Sequence, residues 1–202
     1  MSNQDEDVVL YINFALHAVY GRLGEADTIM HFAGDTVRRV ADQIAAEIPV
    51  EPTVLYRGLL LDPAVAFTAD PKLTFLSWSE DRDVALWFAC PRSAVSEPLA
   101  QSNPKLRSYV TTIARPRSRV LFHHTWAAVF GGLAPLAIAH PLMGEEGRRQ
   151  IEWSLHTQRE VITEPVTDLQ PERVADLDPE TLEALERRLS PPWVIAAEGV
   201  RR

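Results

Sequence analysis

The chain has 202 residues, a formal net charge of −8 and a pI near 5.2. Its hydrophobic fraction of 46% and charged fraction of 24% are those of a globular domain and exclude a disordered, fibrous or collagen-like chain. The negative average charge argues against non-specific binding to nucleic acid or anionic lipid, although it does not forbid a local basic groove.

Cysteine content and the N-terminal residues predict a cytoplasmic protein. Cys90 is the single cysteine, which rules out an internal disulfide and a cysteine-rich zinc site. Residues 1–7 are polar and acidic and lack the features of a secretory signal. The most apolar window, residues 126–143, is too short and too interrupted by glycine and proline for a membrane helix. We therefore expect no membrane partner.

The first half of the chain is predicted to contain two helices followed by two strands and a third helix. Apolar residues at helical spacing predict helices over residues 8–20 and 35–48. Residues 54–61 form a short apolar run between two prolines, which is typical of a strand buried on both faces. A second strand is predicted over residues 73–76. Ser79 is then expected to cap a helix that runs from about residue 80 to 89.

The second half is predicted to contain shorter elements. Residues 91–104 have no periodicity and are predicted to form a loop. Strands are predicted over residues 108–114, 119–124, 151–155 and 161–163, and a helix over residues 179–189. The resulting division has N-terminal helices (1–50), a catalytic core (51–167) and a C-terminal helical extension (168–202), all in one folded unit.

Arg57 and Gly58 interrupt the apolar strand. A buried guanidinium without an anionic partner costs roughly 3–5 kcal/mol, so we expect either a core carboxylate or a ligand phosphate to meet Arg57. Gly58 leaves the backbone open to the close approach of a flat ring.

Two further polar pairs follow the alternation of an extended backbone. Ser77 and Ser79 are expected on one side of a strand end. Gln158 and Glu160 are likewise expected on one side, roughly 6–7 Å apart. One of this second pair can then reach a reacting carbon while the other meets an incoming nucleophile.

Three motifs occur here in the order that one protein family shares. They are an arginine in the first strand, Ser-x-Ser after the second strand and Gln-x-Glu before a late strand. On residues 54–58, 75–89 and 158–165, the sequence resembles mono-ADP-ribosyltransferases of the Arg-Ser-Glu class, the cholera-toxin and exoenzyme-like family. The resemblance runs from residue 54 to residue 165.

This resemblance implies an α+β fold, in which a split β-sandwich of two short, roughly perpendicular sheets holds NAD in the cleft between them. N-terminal helices precede the sandwich and a helical tail follows it. Arg57 is expected to contact the phosphates, and the Gly58 backbone to receive the nicotinamide amide. Ser77 is expected to orient Glu160, which binds the ribose 2′-hydroxyl. The expected catalytic residues are therefore Arg57, Ser77, Gln158 and Glu160.

The remaining NAD contacts are also expectations from the resemblance. Trp78 replaces a small residue and either narrows the site or supplies a stacking surface for the nicotinamide. Arg92 is the candidate for the family's phosphate-clamping loop arginine. The complete expected NAD-binding set is Arg57, Gly58, Ser77, Trp78, Ser79, Phe88 and Arg92.

The expected activity is transfer of ADP-ribose from NAD to a macromolecular acceptor, with release of nicotinamide. Gln158 stands where the family's first glutamate lies, so we expect an acceptor other than arginine, either a protein amide side chain or a nucleic acid. An NAD glycohydrolase is the alternative enzyme, and a non-catalytic ligand-binding module is the third reading. A toxin-like effector with an antitoxin or inhibitor as partner would fit the family.

No metal is expected in this chemistry. A fixed carboxylate stabilises the developing oxocarbenium charge, and nicotinamide leaves without a general acid. None of the six histidines has a metal-ligand spacing. His123 and His124 are neighbours on a predicted strand, so their side chains are expected on opposite faces.

Overall fold

Two long helices begin the fold. In a computed structural model of the chain, which describes residues 3–50, 54–65, 74–114, 118–166 and 168–190, they are α1 (Asn3–Tyr20) and α2 (Leu23–Glu47). The helix predicted over residues 8–20 is confirmed and starts earlier. The second helix starts twelve residues before the predicted residue 35, on the far side of a kink at Ala33, where φ is −140°.

Six short strands form one antiparallel sheet in the described part of the chain, in the order β4-β5-β2-β1-β3-β6. They are β1 (Val54–Leu61), β2 (Leu76–Ser79), β3 (Arg107–Ala114), β4 (Val120–His123), β5 (Glu160–Thr163) and β6 (Glu172–Arg173). The α+β class is confirmed by this sheet and the surrounding helices.

The sheet consists of two three-stranded halves, β4-β5-β2 and β1-β3-β6. They are joined where β1 meets β2, through the single register pair Tyr56↔Ser79. By contrast, β1 and β3 pair along their whole length, from Val54↔Ala114 to Leu61↔Arg107. Hydrogen bonding therefore does not divide the strands into the two separate sheets that the resemblance implies.

Shorter helices connect and cover the strands. They are α3 (Arg82–Ala89), α4 (Glu97–Ser102), a 3₁₀ helix (His124–Phe130), α5 (Leu133–Ala139), α6 (Gly144–Trp153), a π turn (Ser154–Gln158) and α7 (Pro179–Leu189). The prediction of a helix over residues 179–189 is confirmed, with Asp178 as its N-cap. The predicted loop over residues 91–104 is wrong in part, because it contains α4.

Two elements near the motifs have different bounds in the structure from the predicted ones. β2 begins at Leu76 rather than residue 73, so the two serines lie inside the strand and not after it. Ser79 is not the helix cap: α3 begins at Arg82, and its cap is Asp81, whose carboxylate accepts a hydrogen bond from the Asp83 amide at 2.9 Å.

The strand predicted over residues 151–155 is wrong. These residues form the end of α6 and the start of the π turn. Ile151 packs in the core beside α1, whereas Trp153 packs against α3 and α7. Five residues that alternate in polarity are too few to separate a strand from a helix that is covered on two sides.

Buried side chains occupy the space on both sides of the sheet. A large cluster joins α1, α2, the 3₁₀ helix and α5 to Phe122 of β4 and Ile162 of β5. A smaller cluster, which holds α7 against α3, consists of Val84, Trp87, Trp153, Leu185 and Leu189. The strand β1 is less buried than predicted: Leu55 is its one fully buried residue, and the others are partly exposed. Within the described residues, no helix combines the length and apolarity needed to cross a membrane.

Candidate functional site

Three polar side chains from separate strands converge near the junction of the two sheet halves. Glu160 of β5 lies opposite Ser79 of β2, and Ser77 is the diagonal neighbour on the same face. The Ser77 hydroxyl donates a hydrogen bond to Glu160 Oε1 at 2.5 Å. Arg57 of β1 donates from Nη1 to the Ser77 carbonyl at 2.8 Å. The arginine, serine and glutamate of the predicted motif thus form one connected group.

Glu160 is buried with few partners. Its exposed fraction is 5%, and its Oε2 atom has no hydrogen-bond partner among the described residues. Burial raises the pKa of Glu160 to about 8, against the opposing effects of the Ser77 hydrogen bond and the Arg57 charge. The raised pKa favours the protonated form of this carboxyl group near neutral pH.

Two opposing effects act on the pKa of Arg57. Burial lowers the pKa, and the charge of Glu160 offsets only part of this shift. Within the described part of the chain, no carboxylate lies within ion-pair distance of its guanidinium, which instead binds the Ser77 carbonyl. The expected core carboxylate is thus not in direct contact with Arg57 among the described residues.

A cleft opens beside this group, between β1, β2, α3 and the π turn. Its volume is about 180 Å³. Its walls are formed by Tyr56, Arg57, Gly58, Ser77, Trp78, Ser79, Val84, Ala85, Phe88 and Gln158. Most of the predicted NAD-binding residues line it, including the partly buried Phe88. Glu160 is not a lining residue, but Ser77, which binds it, is.

Gly58 has a different role from the predicted one. A Cβ atom at this position would lie 2.0 Å from the Ala85 carbonyl oxygen and 2.8 Å from the Ala89 amide nitrogen. The space that the glycine leaves free is therefore filled by α3 rather than by a ligand ring. Gly58 lets the helix pack directly on β1, and only its backbone borders the cleft.

Trp78 cannot supply the stacking surface. Its exposed fraction is 3%, and its ring packs with Leu55, Leu76 and Val161 in the interior. Its indole nitrogen donates to the Thr163 hydroxyl at 3.0 Å. The residue borders the cleft, but its ring anchors β2 to β5.

Gln158 and Glu160 are not on one extended backbone. Gln158 ends the π turn, and Arg159 adopts a left-handed conformation with φ of 49° before β5 begins. The predicted separation by strand alternation is therefore wrong. Gln158 nevertheless lines the cleft, because the Ser79 hydroxyl donates to its carbonyl at 2.5 Å and holds the turn against β2.

Arg92 is not brought to the cleft. It is exposed, and its guanidinium donates to the Leu177 carbonyl in the segment before α7. Arg92 is therefore not a lining residue of the cleft, and its role as a phosphate clamp stays a prediction.

A second polar cluster, which the sequence did not predict, surrounds Glu80. His124 Nε2 lies 3.0 Å from Glu80 Oε2, and His123 Nε2 lies 3.4 Å from Oε1. Arg159 contacts the same carboxylate at 3.0 Å. The expectation that the two histidines face opposite ways is wrong, because β4 ends at His123 and the 3₁₀ helix begins at His124.

The Glu80 carboxylate is stabilised in its ionised form. Burial alone would raise its pKa, but hydrogen bonds from His124 and His123 hold the pKa below its ordinary value. Burial lowers the pKa of His123, as does the neighbouring His124. One feature of the sequence could have pointed to this cluster: Glu80 and Arg159 lie within the segments 75–89 and 158–165, which carry the family resemblance.

No protein-family model matches the chain, and the searches of curated proteins and of solved structures found no detectably similar protein. The case for a function therefore rests on the geometry of the site and on the motif order.

Proposed function

We propose that this protein transfers ADP-ribose from NAD to a macromolecular acceptor and releases nicotinamide. The observation that carries the proposal is the hydrogen bond from Ser77 to Glu160, which leaves the second carboxylate oxygen of Glu160 without a partner. Unpartnered buried carboxylate oxygens are rare in folded proteins and mark candidate functional groups.

Glu160 is the group that we assign to the chemical step. Cleavage of the bond between nicotinamide and ribose leaves positive charge on the sugar carbon, and a fixed carboxylate stabilises that charge. In the proposed complex Glu160 acts in its ionised form, its proton having been lost to solvent; the ribose 2′-hydroxyl donates to Oε2, and Ser77 donates to the other oxygen. The leaving group is neutral, so the step needs no metal in the cleft.

Arg57 is assigned to the phosphates of the dinucleotide. Its guanidinium is partly buried and has no ion-pair partner among the described residues, and a phosphate would supply one. The cleft volume of about 180 Å³ is below the roughly 300–1,000 Å³ of sites that enclose a drug-sized ligand. We therefore propose that the cleft encloses the nicotinamide-ribose end and that the adenosine end lies along the surface.

Gln158 is assigned to the acceptor. It lies at the end of the π turn, and its backbone is fixed by Ser79. A neutral amide at this position suits an acceptor amide or nucleobase better than a charged guanidinium. We propose a protein amide side chain or a nucleic acid as the target, and not arginine.

The sheet is consistent with this proposal at a coarser level. Two halves that share one register pair, with the cleft beside it, resemble the expected split sandwich more closely than a uniformly paired sheet does. We further propose a toxin-like effector that acts in the cytoplasm, a setting that suits the lone, reduced Cys90.

The test uses NAD labelled on its adenine side, incubated with the purified protein and a whole-cell extract. Separate samples are then treated with protease and with nuclease. Label that becomes small only after protease treatment identifies a protein acceptor, and the nuclease result identifies a nucleic acid. The Glu160→Gln variant should show no transfer, whereas Glu183→Gln, on the exposed face of α7, should match the wild type.

Two other outcomes would overturn the proposal. Release of free ADP-ribose with no labelled macromolecule indicates an NAD glycohydrolase. Unchanged NAD in all samples, together with measurable NAD binding, indicates a non-catalytic module.

A further inference from the structure

The cluster around Glu80 brings three metal-ligating side chains together outside the cleft. Glu80 lies between β2 and α3, and the two histidines lie where β4 passes into the 3₁₀ helix. One ligand atom from each of Glu80, His123 and His124 lies within 4.8 Å of the others. The three residues are brought together by folding, because 43 positions separate Glu80 from His123.

The distances fit a common cation. Zinc binds histidine nitrogen and carboxylate oxygen at about 2.0–2.2 Å, so two ligands of a tetrahedral ion lie about 3.3–3.5 Å apart. The Nε2 atom of His123 is 3.4 Å from Glu80 Oε1, which is long for a hydrogen bond to carboxylate and matches this spacing. His124 Nε2 is 3.0 Å from Oε2, so a small shift would suffice.

The remaining nitrogen of His123 has the partner that a ligating imidazole requires. Its Nδ1 atom accepts a hydrogen bond from the Thr125 amide at 3.3 Å and lies 2.8 Å from the Thr125 hydroxyl. With a metal on Nε2, Nδ1 carries the ring proton and donates it to the hydroxyl oxygen, and the bond accepted from the Thr125 amide is given up. Metal-bound histidines nearly always have such an outer partner, which fixes the orientation of the ring.

Burial and access are also suitable. The His123 side chain is 4% exposed, while His124 and Glu80 are 16% and 19% exposed. His123 is thus held by the core, and the partial exposure of His124 and Glu80 gives a cation access to the cluster.

From this arrangement we infer that Glu80, His123 and His124 form a binding site for a divalent transition-metal cation such as zinc. Arg159 Nη2 lies 3.0 Å from Glu80 Oε2, so a cation that binds this oxygen competes with Arg159 for it. The Arg159 side chain is 53% exposed and can move into solvent when the metal binds. The site lies outside the cleft and does not depend on the proposed transfer reaction.

The test is a calorimetric titration of the full chain with zinc chloride, after prior removal of metal with a chelator. We expect one zinc per chain. His124→Ala and Glu80→Gln should each weaken binding at least tenfold, because each removes a ligand. Thr125→Val should weaken it about 10–100-fold, through loss of the outer partner of His123. His31→Ala, which removes an exposed histidine, is the matched control and should bind as the wild type does.

Arg159→Ala provides the sharpest discrimination. If Arg159 competes with the cation for Glu80, its removal should tighten zinc binding several-fold, whereas a purely structural ion-pair cluster gives no such gain. This variant also keeps the test decisive if His124→Ala fails to fold. No heat of binding with the wild type, equal losses for His124→Ala and His31→Ala, or weaker binding in Arg159→Ala would each overturn the assignment.

Discussion

Two neighbouring carboxylates have opposite surroundings. Glu160 pairs in register with Ser79, and Glu80 is the next residue along the chain. Glu160 receives one hydrogen bond, from Ser77, and burial raises its pKa to about 8. Glu80 is contacted by two imidazoles and a guanidinium, and its pKa is held below the ordinary value.

The two carboxylates differ both in burial, with Glu160 5% exposed and the Glu80 side chain 19% exposed, and in the number of donors and cations around them. Each donor or cation near a buried carboxylate favours its ionised form, because it replaces part of the hydration that burial removes. The charge of the Glu80 carboxylate is compensated by two imidazoles and a guanidinium or, in our inference, by a metal. Glu160 has only the Ser77 hydrogen bond among the described residues, and in the proposed complex the ribose 2′-hydroxyl supplies a second.

The largest expected effect is on stability as a function of pH. The folded-state pKa of Glu160 is raised from 4.5 to about 8, which corresponds to roughly 5 kcal/mol at about 1.4 kcal/mol per unit. The protonated carboxyl favours the folded state, so this contribution is fully present below pH 4.5 and is lost as the pH rises towards 8.

Denaturant unfolding at several pH values measures this loss. The difference in unfolding free energy between the wild type and Glu160→Gln should change steadily across that window, because glutamine does not titrate. A difference that stays constant with pH would mean that Glu160 is not buried as an isolated acid.

The next effect is on catalysis by Glu160. The variant Glu160→Gln should lower the rate of NAD cleavage by about 10²–10³, or roughly 3–4 kcal/mol, because it removes the charge that stabilises the oxocarbenium ion. In the wild type, kcat/KM should rise with pH towards a midpoint near 8, since it reports the free enzyme. A flat pH profile would remove Glu160 from the chemical step.

A smaller effect concerns the wall that α3 forms beside the cleft. Gly58→Ala should destabilise the fold by about 1–3 kcal/mol, since the new methyl group would overlap the Ala85 carbonyl. Gly24→Ala is the matched control, because nothing lies within 4 Å of its added Cβ. Thermal unfolding of both variants measures the effect, and equal melting temperatures would contradict the close contact between β1 and α3.

The smallest expected effect separates transfer from hydrolysis. Gln158→Ala should lower transfer to the acceptor by about tenfold to a hundredfold, the worth of one or two hydrogen bonds, and spare NAD hydrolysis. Parallel assays of nicotinamide release and label incorporation measure both. An equal loss of the two activities would show that Gln158 acts on NAD and not on the acceptor.

Local sequence patterns were sufficient for some elements. The strand β1 has the predicted bounds, because eight apolar-rich residues between two prolines permit little else. The helix α7 was equally clear from its capping residue and leucine spacing. The resemblance carried by the order and surroundings of the motifs also implied that Arg57, Ser77 and Glu160 act together, and the structure brings them into one hydrogen-bonded group.

Other features depended on contacts that no local pattern carries. The left-handed Arg159 moves Gln158 off the extended backbone, and an ion pair with Glu80, 79 positions away, accompanies that conformation. The sequence allowed Trp78 to be a stacking surface for a ligand, but its ring is buried and its indole nitrogen donates a hydrogen bond to the Thr163 hydroxyl. His123 and His124 converge because β4 ends between them.

Glu160 illustrates the boundary between these two kinds of information. Its identity and its place in the Gln-x-Glu motif are visible in the sequence, and the family resemblance that the motif carries predicts a catalytic role for it. Its raised pKa and its unpartnered oxygen arise only when β2, 83 positions away, is hydrogen-bonded beside it and Arg57 lies near. Charge and accessibility are sums over neighbours in space, and the fold alone chooses those neighbours.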